Sequence, residues 1–204
     1  MTQLELTIEI SPIDTETINR QGKVIALAQP FGAGAGGPEV LWVLFAPFET
    51  NRVEWQTDYG LFASPDPVES DTVITASSIL PQAEPGLVYP FADGVFGTPI
   101  PSSSLETYSI RNASGDSLTF GLTQTVTANG ERFDSAPVVA LPVPVGESGE
   151  FLPRPRVKVF LFRKTENGVV VIIEKSRALE LDFGDEPNQT IHYDGTGFAV
   201  GPLG

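Results

Sequence analysis

Leu4, Leu6, Ile8 and Ile10 alternate with Gln3, Glu5, Thr7 and Glu9, and the same two-residue rhythm recurs through most of the chain. Successive side chains of a strand point to opposite faces, so such a run buries one face and wets the other. No segment sustains the 3.6-residue period of an amphipathic helix. Without helices to carry parallel crossovers, strands pair mainly antiparallel and stack as two packed sheets. The expected fold is all-β: a single-domain antiparallel β-sandwich over residues 1–204, with a closed β-barrel as the alternative. The chain shows no repeat of fixed period, which argues against a propeller or a trefoil-like array.

Individual strands are legible. Lys23–Ala28 is one, and Glu39–Phe45, apolar on both sides, is expected to be a central strand covered on both faces. Val53, Trp55 and Thr57, then Tyr59–Ala63, read as further strand or hairpin legs, and Thr72–Ala76 as a short strand. Between Ser77 and Ser104, Pro81, Pro85, Pro90, Pro99 and Pro101 prevent long regular elements, leaving Leu87–Phe91 and Gly94–Phe96 to pair briefly. Glu106–Arg111 and Ser117–Thr127 are strands, the latter turning Leu118, Phe120 and Leu122 to the core before the tight-turn pair Asn129-Gly130. Pro142 and Pro144 place Val138–Val145 at a sheet edge. Val157–Phe162, a turn at Glu166-Asn167-Gly168 and Val169–Glu174 read as a hairpin, and Ala178–Phe183 and Thr190–Tyr193 complete the set.

A chain of this length buries roughly 70% of its unfolded surface, enough for a core without disulfide or metal. It has no Cys and one His, His192, which leaves zinc, thiol and Ser-His-Asp chemistry little to work with. The formal net charge of −14 repels phosphate backbones, so nucleic acid is not an expected partner. Arg154, Arg156, Lys158, Arg163, Lys164, Lys175 and Arg177 are seven of the twelve basic residues. They read as the outward face of one hairpin, or more sharply as a patch for an anion. The longest apolar runs, Val40–Phe45 and Val169–Ile173, have strand length and fall far short of the ~18 residues of a spanning helix. Residues 1–20 lack a basic segment followed by an apolar one, and the expected location is cytoplasmic.

Several local patterns bear on function. Gly32-Ala33-Gly34-Ala35-Gly36-Gly37 matches G-x-G-x-x-G, but Pro38 and a strand follow where a dinucleotide site needs a helix N-terminus. Asp182, Asp185, Glu186 and Asn188 are hard-oxygen ligands without the EF-hand spacing, and read as a solvated acidic turn. No cofactor and no metal are expected.

The stretch Trp55-Gln56-Thr57-Asp58-Tyr59-Gly60 is the most suggestive. Sugars are held by an aromatic ring under their C–H face, with carboxylate, amide and guanidinium groups on their hydroxyls. Trp55 and Tyr59 as platform, with Asp58, Asn51 and Arg52 as polar groups, would make a cofactor-free, lectin-like binding protein for a glycan or small polar ligand. The competing reading of Trp55 and Tyr59 is core, as it is for Trp42. A membrane-active protein is an alternative, inserting the 77–104 excursion through Leu87, Tyr89, Phe91 and Phe96. A cofactor-independent isomerase or cyclase using His192 with Asp194 is another. A homodimer through an exposed sheet edge is a further expectation.

The span Leu41–Ser64 contains Phe45-Ala46-Pro47-Phe48-Glu49 and a W-x-x-D-Y-G-x-x-A-S phrase from Trp55 to Ser64. In this it resembles small uncharacterised acidic proteins of fungi. The resemblance implies a fungal, all-β, cofactor-free protein and carries no function with it.

Overall fold

The N-terminal alternation becomes strand β1 (Gln3–Glu9), with Leu4, Leu6 and Ile8 buried and Glu5 and Thr7 half-buried on the other side. The structure, a computed structural model, describes residues 2–30, 38–173 and 178–204. After β1 come helix α1 (Pro12–Arg20), β2 (Lys23–Ala28), β3 (Glu39–Phe45), β4 (Thr50–Gln56), β5 (Gly60–Ser64) and β6 (Ser78–Leu80). The middle of the chain forms β7 (Leu87–Ala92), β8 (Val95–Phe96), β9 (Ile100–Pro101), β10 (Tyr108–Asn112), β11 (Leu118–Ala128) and β12 (Glu131–Val143). The remainder adds β13 (Ser148–Phe151), β14 (Arg156–Arg163), β15 (Val170–Val171), β16 (Leu179–Asp182), β17 (Asn188–Tyr193) and β18 (Phe198–Val200).

Three sheets result. The largest runs β18-β17-β1-β4-β11-β5-β6, with β12 also paired to β11; the second runs β15-β3-β2-β14-β16; the third runs β13-β10-β7-β8, with β9 also on β7. None closes into a barrel, and the all-β expectation holds. One hydrophobic cluster joins all three: Leu6, Trp55 and Phe120 from the first sheet, Leu27, Trp42 and Val159 from the second, Phe91, Ile110 and Phe151 from the third. Trp42 meets Trp55 edge to face at 5.5 Å, and Phe91 meets Phe120 at 5.2 Å, so aromatic edges link the layers. A second cluster, Ala26, Ala28, Leu41 and Phe160 under Val169 and Val171, covers the opposite face of the second sheet. That double covering is why β3 reads as a continuous apolar run. The β11–β12 hairpin turns on Asn129 and Gly130, both at positive φ (50° and 83°), as the sequence pair requires. Among the described residues, the proline-bearing β12 pairs with β11 alone, at an edge.

The structure corrects three expectations. Residues Pro12–Arg20 are helical: Ser11 caps the first turn by accepting from the Asp14 N–H at 3.2 Å, and Pro12 opens the helix where its missing N–H costs nothing. Thr72–Ala76 forms only an isolated bridge, Val73 to Val169. β14 and β15 do not make a hairpin. The turn between them is captured by β3, through Asn167 Oδ1 accepting from the Leu44 N–H and the Gly168 N–H donating to the Leu41 carbonyl, so the two strands lie at separate places in the sheet. Pairing is mainly antiparallel, as expected; β1 with β17 and β7 with β10 are parallel, each connection being long enough to need no helix. The Gly32–Gly37 motif, Lys175 and Arg177 lie outside the described residues.

Candidate functional site

Strand β4 has clean parity. Val53 and Trp55 point inward with Asn51, while Arg52, Glu54 and Gln56 point out. Trp55 is therefore sealed at 4% exposure, packed by its edges against Trp42 and, at 5.0 Å, Phe183. Tyr59 is 8% exposed and meets Tyr108 at 5.7 Å. Neither ring presents a face to a ligand, so the aromatic-platform arrangement is corrected: both residues belong to the core. Burial also raises the Tyr59 phenol well above its ordinary pKa, with the neighbouring Tyr108 adding to the shift.

Asn51 is likewise structural. Its side-chain oxygen accepts from the Phe48 N–H at 2.8 Å and the Asn129 amide at 3.0 Å, and its amide donates to the carbonyls of Ile8 and Phe48. All its hydrogen-bonding capacity is used, as a fully buried amide demands. Arg52 is exposed and ion-paired to Glu5 at 2.7 Å and Glu54 at 3.1 Å; the bond to Glu5 raises its pKa further.

A buried amide sets the shape of the neighbouring surface. β11 pairs with β5 up to Thr123 and with β4 from Val126, so Gln124 sits where its strand changes partner. Its side-chain amide donates to the carbonyls of Gln56 and Asp58, and its oxygen accepts from Gln29 at 2.6 Å. The Trp42 indole N–H reaches the Gln124 carbonyl at 3.4 Å. This network pins the link between β4 and β5 and holds Asp58 at the surface, half-buried.

On the outside of that junction lies a cleft of about 330 Å³. β1 contributes Gln3, β4 Glu54 and Gln56, the link Asp58, β11 Thr125 and Thr127, and β12 Arg132; Trp55 lies beneath. Gln3 donates to Glu54 at 3.1 Å, and Arg132 pairs with Asp134 at 2.7 Å, so two carboxylates of the region are already oriented. Of the five residues singled out from sequence, the cleft gathers Asp58, with Trp55 as its floor. Gln3, Glu54, Gln56, Thr125, Thr127 and Arg132 escape a search centred on aromatic residues, although the outward parity of β1, β4 and β11 marks most of them. Chemically, the cleft offers amide and guanidinium donors, carboxylate acceptors and hydroxyls that serve as either.

The other candidates are placed as follows. His192 Nδ1 lies 2.9 Å from the Gly201 carbonyl. The Asp194 carboxylate accepts from the Thr196 and Gly197 N–H groups and the Thr196 hydroxyl, bonds that lower its pKa to about 2. It thus holds a turn and does not orient the imidazole. Asp182 is bound by Arg156 and the Gly184 N–H, and among the described residues no three acidic or His side chains converge as metal ligands. Tyr89 and Phe91 of the 77–104 excursion are buried, Leu87 and Phe96 half-buried, so these rings do not form an exposed inserting tip. The basic residues of β14 are largely matched: Arg156 with Asp182 and Glu180, Lys158 with Glu39, Arg163 with Asp71. No described helix is long and apolar enough to cross a membrane. No protein-family model, curated protein or solved structure matches this chain.

Proposed function

We propose that this chain is a cofactor-free binding module whose outer-face cleft takes a small polyhydroxylated ligand, a glycan in the first instance. The observation that supports this reading is the convergence of amide, guanidinium, carboxylate and hydroxyl groups from four strands and one link on a single concavity. Each sugar hydroxyl both donates and accepts, so a site for it needs both partners side by side. Here carboxylates (Glu54, Asp58) stand beside donors (Gln3, Gln56, Arg132). Strand pairing fixes the backbone positions of these groups, which lessens the ordering cost left for binding. Recognition is by hydrogen bonds, with no ring stacked on the sugar.

A glycan array followed by calorimetry on the retained sugar tests the reading. Glu54→Gln, Asp58→Asn and Arg132→Gln should each weaken binding at least about ten-fold, the scale of one hydrogen bond to a charged group, without changing Tm. Retention of no sugar by the array, or affinities unmoved by all three replacements, would overturn it.

A further inference from the structure

A cavity opens between β14 and β16 of the second sheet and the β17–β18 edge of the first. Leu161, Leu179, Tyr193 and Phe198 pack against the main core yet remain half-buried, and they line a mouth of about 600 Å³. That volume lies within the ~300–1,000 Å³ range of small-molecule sites. Tyr193 and Phe198 meet edge to face at 5.5 Å, giving one lip a rigid aromatic wall.

The charged side chains that line the mouth are both basic. Lys23 and Arg163 both line the mouth and are direct cross-strand partners in the β2–β14 ladder. Like charges placed opposite each other destabilise a sheet unless an anion lies between or beside them. Arg163 is answered by Asp71, but among the described residues Lys23 has no ion-pair partner. In a chain with 26 acidic and 12 basic residues, a lysine without an ion-pair partner among the described residues, beside an arginine and a half-buried apolar floor, is a distinctive juxtaposition. The nearby acids Asp14 and Asp194 act on Tyr193, at the opposite lip, and the Asp194 carboxylate is oriented into its own turn by the Thr196 and Gly197 N–H groups.

We infer that this mouth is a second binding site, sharing no residue with the outer-face cleft, for a small amphipathic carboxylate. Its aliphatic or aromatic body lies against Leu161, Leu179, Tyr193 and Phe198, and its carboxylate meets Lys23 with Arg163 alongside. Burial of the ligand's methylenes supplies the affinity, at about 0.8 kcal/mol each, and the lysine selects the charged head.

Calorimetry on the full chain with octanoate, octyl glucoside and acetate tests this. Octanoate should bind at one equivalent, octyl glucoside at least about ten-fold more weakly and acetate not at all. Lys23→Gln, at an exposed strand end, should remove the preference for octanoate over octyl glucoside, while Arg132→Gln in the other cleft should leave it intact. Equal binding of the two octyl compounds, a preference that survives Lys23→Gln, or no octanoate binding would each overturn the inference.

Discussion

Gln124 shows how one buried amide replaces a missing stretch of ladder. Between its pairing with β5 and with β4, β11 has no strand on that side, and the Gln124 side chain supplies hydrogen bonds to the Gln56 and Asp58 carbonyls. Gln124→Leu keeps the volume but strips partners from those carbonyls and from Gln29; urea unfolding should show a loss of about 3 kcal/mol. The buried phenols give a pH prediction. Tyr59 and Tyr108 have pKa values raised chiefly by burial, and Tyr193 also by burial, with Asp14 and Asp194 adding to it. A raised phenol binds its proton more tightly in the folded state, so its contribution is fully present below the unfolded value of ~10 and is lost as pH rises through the folded value. Spectrophotometric titration of a Tyr89→Phe variant, whose tyrosines are these three, should therefore find the phenolate signal delayed and coincident with alkaline unfolding. Phenolate absorbance developing near pH ~10 in a protein that stays folded would contradict this.

At the level of elements, β11 must pass very close to its neighbours. A Cβ on Gly121 would stand 1.8 Å from the Val139 carbonyl oxygen and 2.4 Å from a Phe62 ring carbon, so backbone would have to move. Gly121→Ala should cost about 3 kcal/mol in thermal unfolding, the upper range for overpacking. Gly115→Ala, where a Cβ meets nothing within 4 Å, should change stability by less than about 0.5 kcal/mol. Strand positions were largely readable in the chain because parity records which face is buried: Lys23–Ala28 and Glu39–Phe45 coincide with β2 and β3. Partners were less readable. The apolar run Val169–Ile173 does not say that Asn167 will bind the backbone of β3, which separates β14 from β15. Helix α1 escaped because it buries Ile18 and little else, so it has no apolar stripe; its signal was the Ser11-Pro12 start with Asp14 in the first turn. The outer-face cleft was half-legible. The parity that buries Val53 and Trp55 also turns Glu54 and Gln56 outward, yet the Asp58 turn depends on Gln124, far along the chain. Ser11→Ala should lower stability by about 1 kcal/mol, the usual value of a helix cap, as read from the urea midpoint at unchanged slope.

For the whole molecule, an excess of fourteen negative charges means self-repulsion in the compact state. Most described ion pairs are exposed and each contributes little, so screening should act mainly on the repulsion. Raising NaCl from near zero to ~0.15 M, where the Debye length is about 8 Å, should raise Tm by several degrees; a fall would show that specific ion pairs dominate. The larger division is between an apolar interior that takes both tryptophans and a polar outer face. With Trp42 and Trp55 the two tryptophans of the chain, collisional quenching of native fluorescence by acrylamide reads that division directly. Blue-shifted emission with little quenching until the protein unfolds is the expected result. A red-shifted component quenched as readily in the native as in the unfolded protein would place a tryptophan at the surface and restore the aromatic platform.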